Sequence, residues 1–525
     1  MTSVPPTVAG LLRAQRALAD KTLLVCDGDR LSYAAAEVRS AALASRLIEL
    51  GVGKGTHVGV LYPNGVEFVV TMLAASRIGA VVVPFSTFST APELRRQLID
   101  SDVAVLLAIR SYRSHDYVAR LGEALSDSPD RLGPLYNTVA PVLRHIIFDR
   151  DDEALPATRV DETLLTGLED DVDGSDVLAI IYTSGSTSEP KGVVHTHAGL
   201  ITHQRNLNEI RKLTSPDKLF CNSPFFWIGG FGFGLLATLV AGATLICSNA
   251  TDAGDTLDLI EAEKPTVTNG FTAGIAHLTR HPSFADRDLS SMRRGNLYPI
   301  MAPDVRPADP ELRHNMLGMT EAGSVLLLSA DESDQPEVRR GSFGVLAPGF
   351  QARIIDPDTG QDVRSRTVGE LLIRGPYVMQ GYYGRRREEC FDPDGWLHTG
   401  DLVRRDDDGF FYFIGRAGSM IKTAGANVAP AEVEKALTAV LQGIDGSATA
   451  HVVGLPDDER GQIVAAVVAS DGITQLDVTA IRRALQSELS AYKIPRRITT
   501  VRHCELPMLS SGKIDIPSLR RLFDA

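Results

Sequence analysis

Short apolar runs alternate with longer amphipathic ones through the first third of the chain. HVGVLYP (His57–Pro63), AVVVPF (Ala80–Phe85) and VAVLLA (Val103–Ala108) are apolar nearly throughout, and such runs predict buried strands. Between them, GVEFVVTMLAASRIGA and PELRRQLIDS predict helices. Strand–helix–strand repetition with apolar strands implies a parallel sheet covered on both faces. VLAIIY (Val177–Tyr182) and KGVVHTH predict two further strands, and HAGLITHQRNLNEIRKL predicts a helix with Leu200, Leu207 and Ile210 near one face. The acidic stretch from Asp149 to Asp176 is expected to be a surface connection. KPTVTNGFTAGIAHL predicts a strand and a helix, and GELLIRGPYVMQGYYG more strand. Beyond Pro430, which suits a first helical position, Val433, Ala436, Leu437, Val440 and Leu441 recur at helical spacing. ATAHVVGL and QIVAAVVAS then predict strands either side of PDDERG, followed by a helix near Val478–Leu489 and a strand at RRITTV. The pattern predicts an α/β protein. The stretch beyond Pro430 reads as a small α+β domain of its own.

Composition narrows the partners. The chain has 525 residues and a formal net charge of −13, with no long basic run, which argues against nucleic acid. Five cysteines are scattered without metal-ligand spacing, as expected in a reducing compartment. The opening MTSVPPTVAGLLRAQRALADK lacks the apolar core of a secretory signal. The longest apolar stretch, GLLATLVAGATLIC, is too short and too broken by Gly to span a bilayer. A cytoplasmic protein without a transmembrane segment is expected.

The chemistry centres on YTSGSTSEPKG (Tyr182–Gly192). Thr183, Ser184, Gly185, Ser186, Thr187 and Ser188 are small and mostly hydroxylated, and they lie between two predicted strands. Hydroxyls and successive backbone N–H groups can converge there on an anion, with Lys191 adding positive charge. A Walker A loop is excluded, because Pro190 precedes Lys191, Gly192 follows it, and no helix begins there. Further along, Phe225, Phe226, Trp227, Phe231 and Phe233 interleave with Gly229, Gly230, Gly232 and Gly234. Composition alone makes this core packing at a helix start, and the glycine spacing is not a dinucleotide fingerprint.

YTSGSTSEPKG resembles the phosphate loop of the adenylate-forming superfamily, whose usual form is Thr-Ser-Gly-Ser/Thr-Thr-Gly-x-Pro-Lys-Gly. Ser188 departs from it. HNMLGMTEAGSV (His314–Val325), DGWLHTGDL (Asp394–Leu402), Arg416 and LPMLSSGKID follow in the family's order, so the resemblance spans nearly the whole chain. It implies an acyl-CoA synthetase/luciferase-like fold and an AMP-forming acid–CoA ligase. ATP, magnesium and coenzyme A are the implied cofactors and substrates, and a carboxylic acid, expected to be an apolar fatty acid, is the other substrate. Loading a carrier-protein thiol, or nucleotide binding without catalysis, are the alternatives. A homodimer is compatible with the sequence.

The resemblance also implies residue roles. Thr183, Ser184, Gly185, Ser186, Thr187, Lys191, Asn315, Gly318, Met319 and Thr320 would surround ATP. Thr320 would meet the α-phosphate and Glu321 the magnesium. Asp401 and Arg416 would hold the ribose, and Lys513 would be the catalytic lysine. Phe225, Trp227, Gly229, Phe231 and Gly232 would line an acyl tunnel. Lys422 and Gly425 belong to a loop that approaches the CoA thiol. Ser419 stands where relatives carry a hinge Asp, and the resemblance thereby implies a large N-terminal domain, residues 1–417, and a smaller mobile α+β domain, residues 418–525. Leu317 stands where an aromatic usually stacks on adenine, and MRRGNLYPIMAP (Met292–Pro303) keeps little of the family's adenine turn.

Overall fold

The computed structural model describes residues 5–130, 133–148, 160–183, 190–417, 420–423, 426–457, 460–472, 476–486, 489, 493–509 and 512–524. The chain divides into two compact units, 1–351 with 373–397, and 352–372 with 398–525. The expected boundary at residue 417 falls inside the second unit. That unit keeps the Phe411–Arg416 strand beside Leu397–Arg405, its antiparallel partner.

Two sheets organise the first unit. Val81–Pro84, His57–Leu61, Val105–Ala108 and His145–Phe148 run parallel in one of them, as the apolar runs predict. Val177–Thr183 joins them in parallel, and Lys191–Thr196 returns antiparallel beside it. Gly381–Tyr382 then pairs with Lys191–Thr196 and closes that edge. The helices Val66–Arg77 and Ala91–Asp100 connect strands as crossovers, and the first is buried on nearly every side. The other sheet has Thr22–Cys26, Thr244–Cys247, Lys218–Cys221, Val267–Asn269 and Arg294–Gly295 in parallel, with Asp29–Ser32 antiparallel at its edge.

The acidic stretch is more than a surface connection. Residues 149–159 lie outside the description, but Glu162–Asp170 is a helix capped by the Asp161 side chain. Its Glu169 is buried against the equally buried Arg77. A buried guanidinium without that carboxylate would be costly, so the acidic residue serves the interior.

The second unit contains most of a four-stranded sheet, Gln351–Ile355, Gly369–Arg374, Leu397–Arg405 and Phe411–Arg416. It also contains a sheet centred on Gly461–Ala469, paired with Thr449–Asp457 and Arg497–Val501. Pro430–Gln442 packs Val433, Leu437 and Leu441 into this unit's core. Among the described residues, no helix is long and apolar enough to cross a membrane.

Candidate active site

The predicted loop hangs from adjacent strands, and Thr183 pairs with Lys191 at its base. Ser184, Gly185, Ser186 and Thr187 lie outside the described residues. Gly192 has a local reason to lack a side chain, since a Cβ there would lie 2.9 Å from the Tyr182 ring. That ring is tethered in turn, because the Tyr182 hydroxyl donates to Asp100 Oδ2 at 2.6 Å. The Tyr383 hydroxyl donates to Asp102 Oδ2 at 2.7 Å, and its backbone N–H donates to the Gly192 carbonyl.

The second motif packs against these strands. Leu317–Met319 is a strand, and Thr320–Ala322 is a single helical turn ended by Gly323 with φ +69°. His195, buried in the Lys191–Thr196 strand, lies with Nε2 2.7 Å from the Thr320 carbonyl. A carbonyl only accepts, so Nε2 carries the proton. Burial holds this imidazole neutral, pushing its pKa down to about 4. Gln204, also buried, donates to the Gly323 carbonyl at 3.0 Å and to Ser324 Oγ at 3.1 Å. Ser324 has φ +144°, a strained value for a residue with a side chain.

Glu321 and Lys191 meet through a residue that the motifs do not single out. The Tyr382 hydroxyl donates to Glu321 Oε1 at 2.8 Å, and the Lys191 ammonium lies 5.0 Å from the Tyr382 ring centroid. The other Glu321 oxygen has no hydrogen-bond partner among the described residues, so this carboxylate fits a magnesium ion shared with phosphate oxygens.

Residues on both sides of the Thr320–Ala322 turn line a cavity of about 620 Å³. Ile228, Gly229 and Phe233 form one wall, and Gly318, Ser324 and Val325 another. Asn296, Tyr298, Asn315 and Leu317 line it as well, which brings the altered adenine turn and the Leu317 position to one space. The expected tunnel residues are distributed unevenly. Gly229 lines the cavity. Phe225 is fully buried, edge-on to Phe68, and Phe231 is fully buried too. Trp227 packs edge-on to Phe88, Phe226 and Phe271.

Most glycines of this segment serve close packing rather than open space. A Cβ on Gly230 would lie 2.1 Å from the Pro224 carbonyl oxygen, on Gly232 3.2 Å from that of Gly323, and on Gly234 3.1 Å from Cys221 Sγ. Phe231–Leu236 is a π-helix between helical segments, a widened turn that alternating Phe and Gly did not signal. Asn64 fixes the segment's entry. It accepts from the Phe225 N–H at 2.7 Å and donates to the Ser223 carbonyl at 3.0 Å.

In the second unit, Asp401 and Arg416 are cross-strand partners, and Arg416 Nε lies 2.7 Å from Asp401 Oδ1. Asp401 is buried, and its N–H donates to Thr399 Oγ1. Lys513 is exposed at the foot of a tight turn. The Leu509 N–H donates to its carbonyl at 2.7 Å, and Gly512 has φ +76°. Its ammonium has no ion-pair partner among the described residues. The Lys422 backbone pairs with Asn427 in a short hairpin. Ser419 and Gly425 lie outside the described residues.

Residues 11–383 match the family model for AMP-binding enzymes, and residues 432–513 match that for the AMP-binding enzyme C-terminal domain. The chain belongs to the AMP-binding enzyme family. Its fold is that of the adenylate-forming superfamily, and it is an AMP-forming acid–thiol ligase of the acyl-CoA synthetase type. A feruloyl-CoA synthase of Amycolatopsis is 33% identical, over 94% of this chain and 94% of that one. A methyl-dioxo-octahydro-indenyl-propanoyl:CoA ligase of Mycobacterium tuberculosis is 32% identical, over 98% of both chains. The structure of an anthranilate CoA ligase in complex with anthranoyl-AMP superposes with a TM-score of 0.78. It shares 22% identity, covers 99% of this chain and 98% of that one, and supports the fold alone.

Proposed function

We propose that this enzyme joins an apolar carboxylic acid to coenzyme A through an acyl-AMP intermediate. The observation that carries the proposal is the cavity lined by Gly229 and Phe233 and by Gly318 and Ser324, which flank the Thr320–Ala322 turn in sequence. An acid seated there would turn its carboxylate toward groups suited to phosphate. The acid class is wider than the fatty acids first expected, since the relatives' names include aromatic and alicyclic acids.

In the first step a carboxylate oxygen attacks the α-phosphorus of ATP and pyrophosphate leaves. An anion attacking a polyanion needs fixed positive charge, which Lys191 and Lys513 would supply. Thr320 would donate to the α-phosphate, Asp401 would accept from the ribose hydroxyls, and Arg416 would lie beside the ribose. Magnesium held by Glu321 would offset phosphate charge. In the second step the CoA sulfur attacks the acyl carbon and AMP leaves, with Lys422 and Gly425 beside the incoming thiol. We place the moving boundary between residues 417 and 418, with Ser419 as its hinge, and the working compartment in the cytoplasm.

The test is release of AMP and pyrophosphate across a panel of aliphatic, alicyclic and aromatic acids, with CoA, with a carrier protein, and with neither. Acid-dependent pyrophosphate release and CoA-dependent thioester are expected. Absence of any acid-dependent release would overturn the proposal. Transfer to a carrier protein alone would reassign the acceptor.

A further inference from the structure

We propose that Tyr382 is a positioning residue that keeps Lys191 and Glu321 from neutralising each other. The inference rests on the proposed roles of those two charges, at phosphate and at magnesium.

An ammonium and a carboxylate in one partly buried site attract strongly at contact distance. Paired directly, each would be lost to its ligand. Among the described residues no ion pair joins Lys191 to Glu321. Tyr382 instead gives each charge a separate contact. The ring face carries the ammonium, at 5.0 Å from the centroid, and the hydroxyl donates to Glu321 Oε1 at 2.8 Å. A ring quadrupole attracts a cation without neutralising it, and a phenol donates to a carboxylate without cancelling its charge.

The backbone explains why the ring sits there. Tyr382 is the cross-strand partner of Val193, and Gly381 that of Val194. Val193 and Lys191 are two residues apart and share a face of the strand, so Lys191 is the diagonal neighbour of Tyr382. The Gln380 N–H donates to the Val194 carbonyl and the Tyr383 N–H to that of Gly192, which locks the register. The Tyr382 N–H is directed to Cys390 Sγ at 3.4 Å. The Met379 N–H donates to the Glu321 carbonyl at 2.8 Å, so the segment that places the phenol also holds the backbone of its acceptor. Tyr383, one residue on, faces the other way, toward Asp102 and edge-on to His57.

The two contacts can be removed separately. Y382F keeps the ring and loses the hydroxyl, while Y382L loses both. ATP binding is measured by calorimetry across a magnesium titration, alongside steady-state constants for ATP and acid. For Y382F the half-saturating magnesium concentration should rise about ten- to a hundredfold, the worth of one hydrogen bond to a charged group. The acid KM should not move. Y382L should show that shift and a further loss of ATP affinity, as Lys191 and Glu321 close on each other. In E321Q the magnesium shift from Y382F should vanish, because its target is gone. An unmoved magnesium curve for Y382F overturns the inference, as does a shift of equal size in the E321Q background. Both readings use the phenylalanine variant and stand even if Y382L fails to fold. Wild-type ATP binding indifferent to magnesium would overturn this inference together with the functional reading. A magnesium-dependent wild type with an unmoved Y382F overturns this inference alone.

Discussion

The two regions that carry the predicted lysines are held in opposite ways. Around Lys191, three segments distant in sequence interlock. His195 bonds the Thr320 carbonyl, Met379 the Glu321 carbonyl, Tyr382 the Glu321 side chain, and Tyr383 the Gly192 carbonyl. Around Lys513, the described backbone bonds of the turn are short-range, Leu509 to Lys513, Gly512 to Leu509 and Asp515 to Pro507, and the side chain is exposed. The first arrangement is held by the protein's own hydrogen bonds, as electrostatic preorganisation requires. The second leaves the Lys513 side chain exposed, as the role proposed for it in one step alone would need. The comparison predicts that Lys513 matters unequally to the two half-reactions, whereas substitutions around Lys191 damage ATP binding itself.

The largest expected effect tests that contrast. Lys513→Ala should slow adenylation by about a hundred- to a thousand-fold, as loss of a main electrostatic stabiliser does. Thioester formation from supplied acyl-AMP and CoA should stay near the wild-type rate, and the melting temperature should not change, because an exposed lysine contributes little to stability. Assaying the half-reactions separately checks this, and equal losses in both would erase the contrast.

The next effect separates cavity from packing within one helix. Gly229→Leu should lower kcat/KM for bulky acids by about ten- to a hundred-fold and leave ATP KM alone. A Cβ there meets nothing closer than Ser223 Oγ at 3.7 Å, and the residue lines the cavity. Gly232→Phe should instead lower the melting temperature and ATP affinity, since its side chain would press on the Gly323 carbonyl and Gln204. An acid panel with thermal melts distinguishes them. Altered acid preference in a normally stable Gly232→Phe would move the pocket.

Ser419→Pro should reduce thioester formation about tenfold while adenylation persists, because proline fixes φ at the proposed pivot. This expectation rests on sequence alone, and equal rates for both steps in the variant would remove the pivot.

The smallest effect concerns pH. His195, His197 and His203 are buried, and burial depresses each pKa from an ordinary 6.5 to about 4. Between those values the unfolded chain binds protons that the folded chain does not. Stability is therefore complete above about pH 6.5 and declines as pH falls toward about 4. Melting curves should show a plateau above neutrality and a fall of several degrees by about pH 5. A flat profile would mean that these imidazoles charge inside the fold.

Much of this organisation is legible in the sequence. Apolar runs mark the parallel strands, because a strand covered on both faces cannot alternate. VLAIIY and KGVVHTH likewise mark the two strands that flank the hydroxyl-rich stretch, whose residues 184–189 lie outside the described ones. What was not legible is pairing at long range. Nothing in GYYG says that Tyr382 lies across from Val193, so its contact with Glu321 could not be read. His195 left a faint signal, an imidazole within an apolar strand. The glycines of Gly229–Gly234 were expected to leave room for a chain, yet three of them accommodate neighbouring protein atoms. Composition gives the size of a side chain and not what lies beside it.

The most direct test of the account follows the carboxylate oxygen. An acid accepted in the release assay, labelled with heavy oxygen in its carboxylate, is turned over with ATP and CoA, and the products are weighed by mass spectrometry. Attack of the carboxylate on the α-phosphorus followed by thiol displacement predicts one heavy oxygen in AMP and none in pyrophosphate. Label in an inorganic phosphate product, or unlabelled AMP alongside thioester, would contradict it.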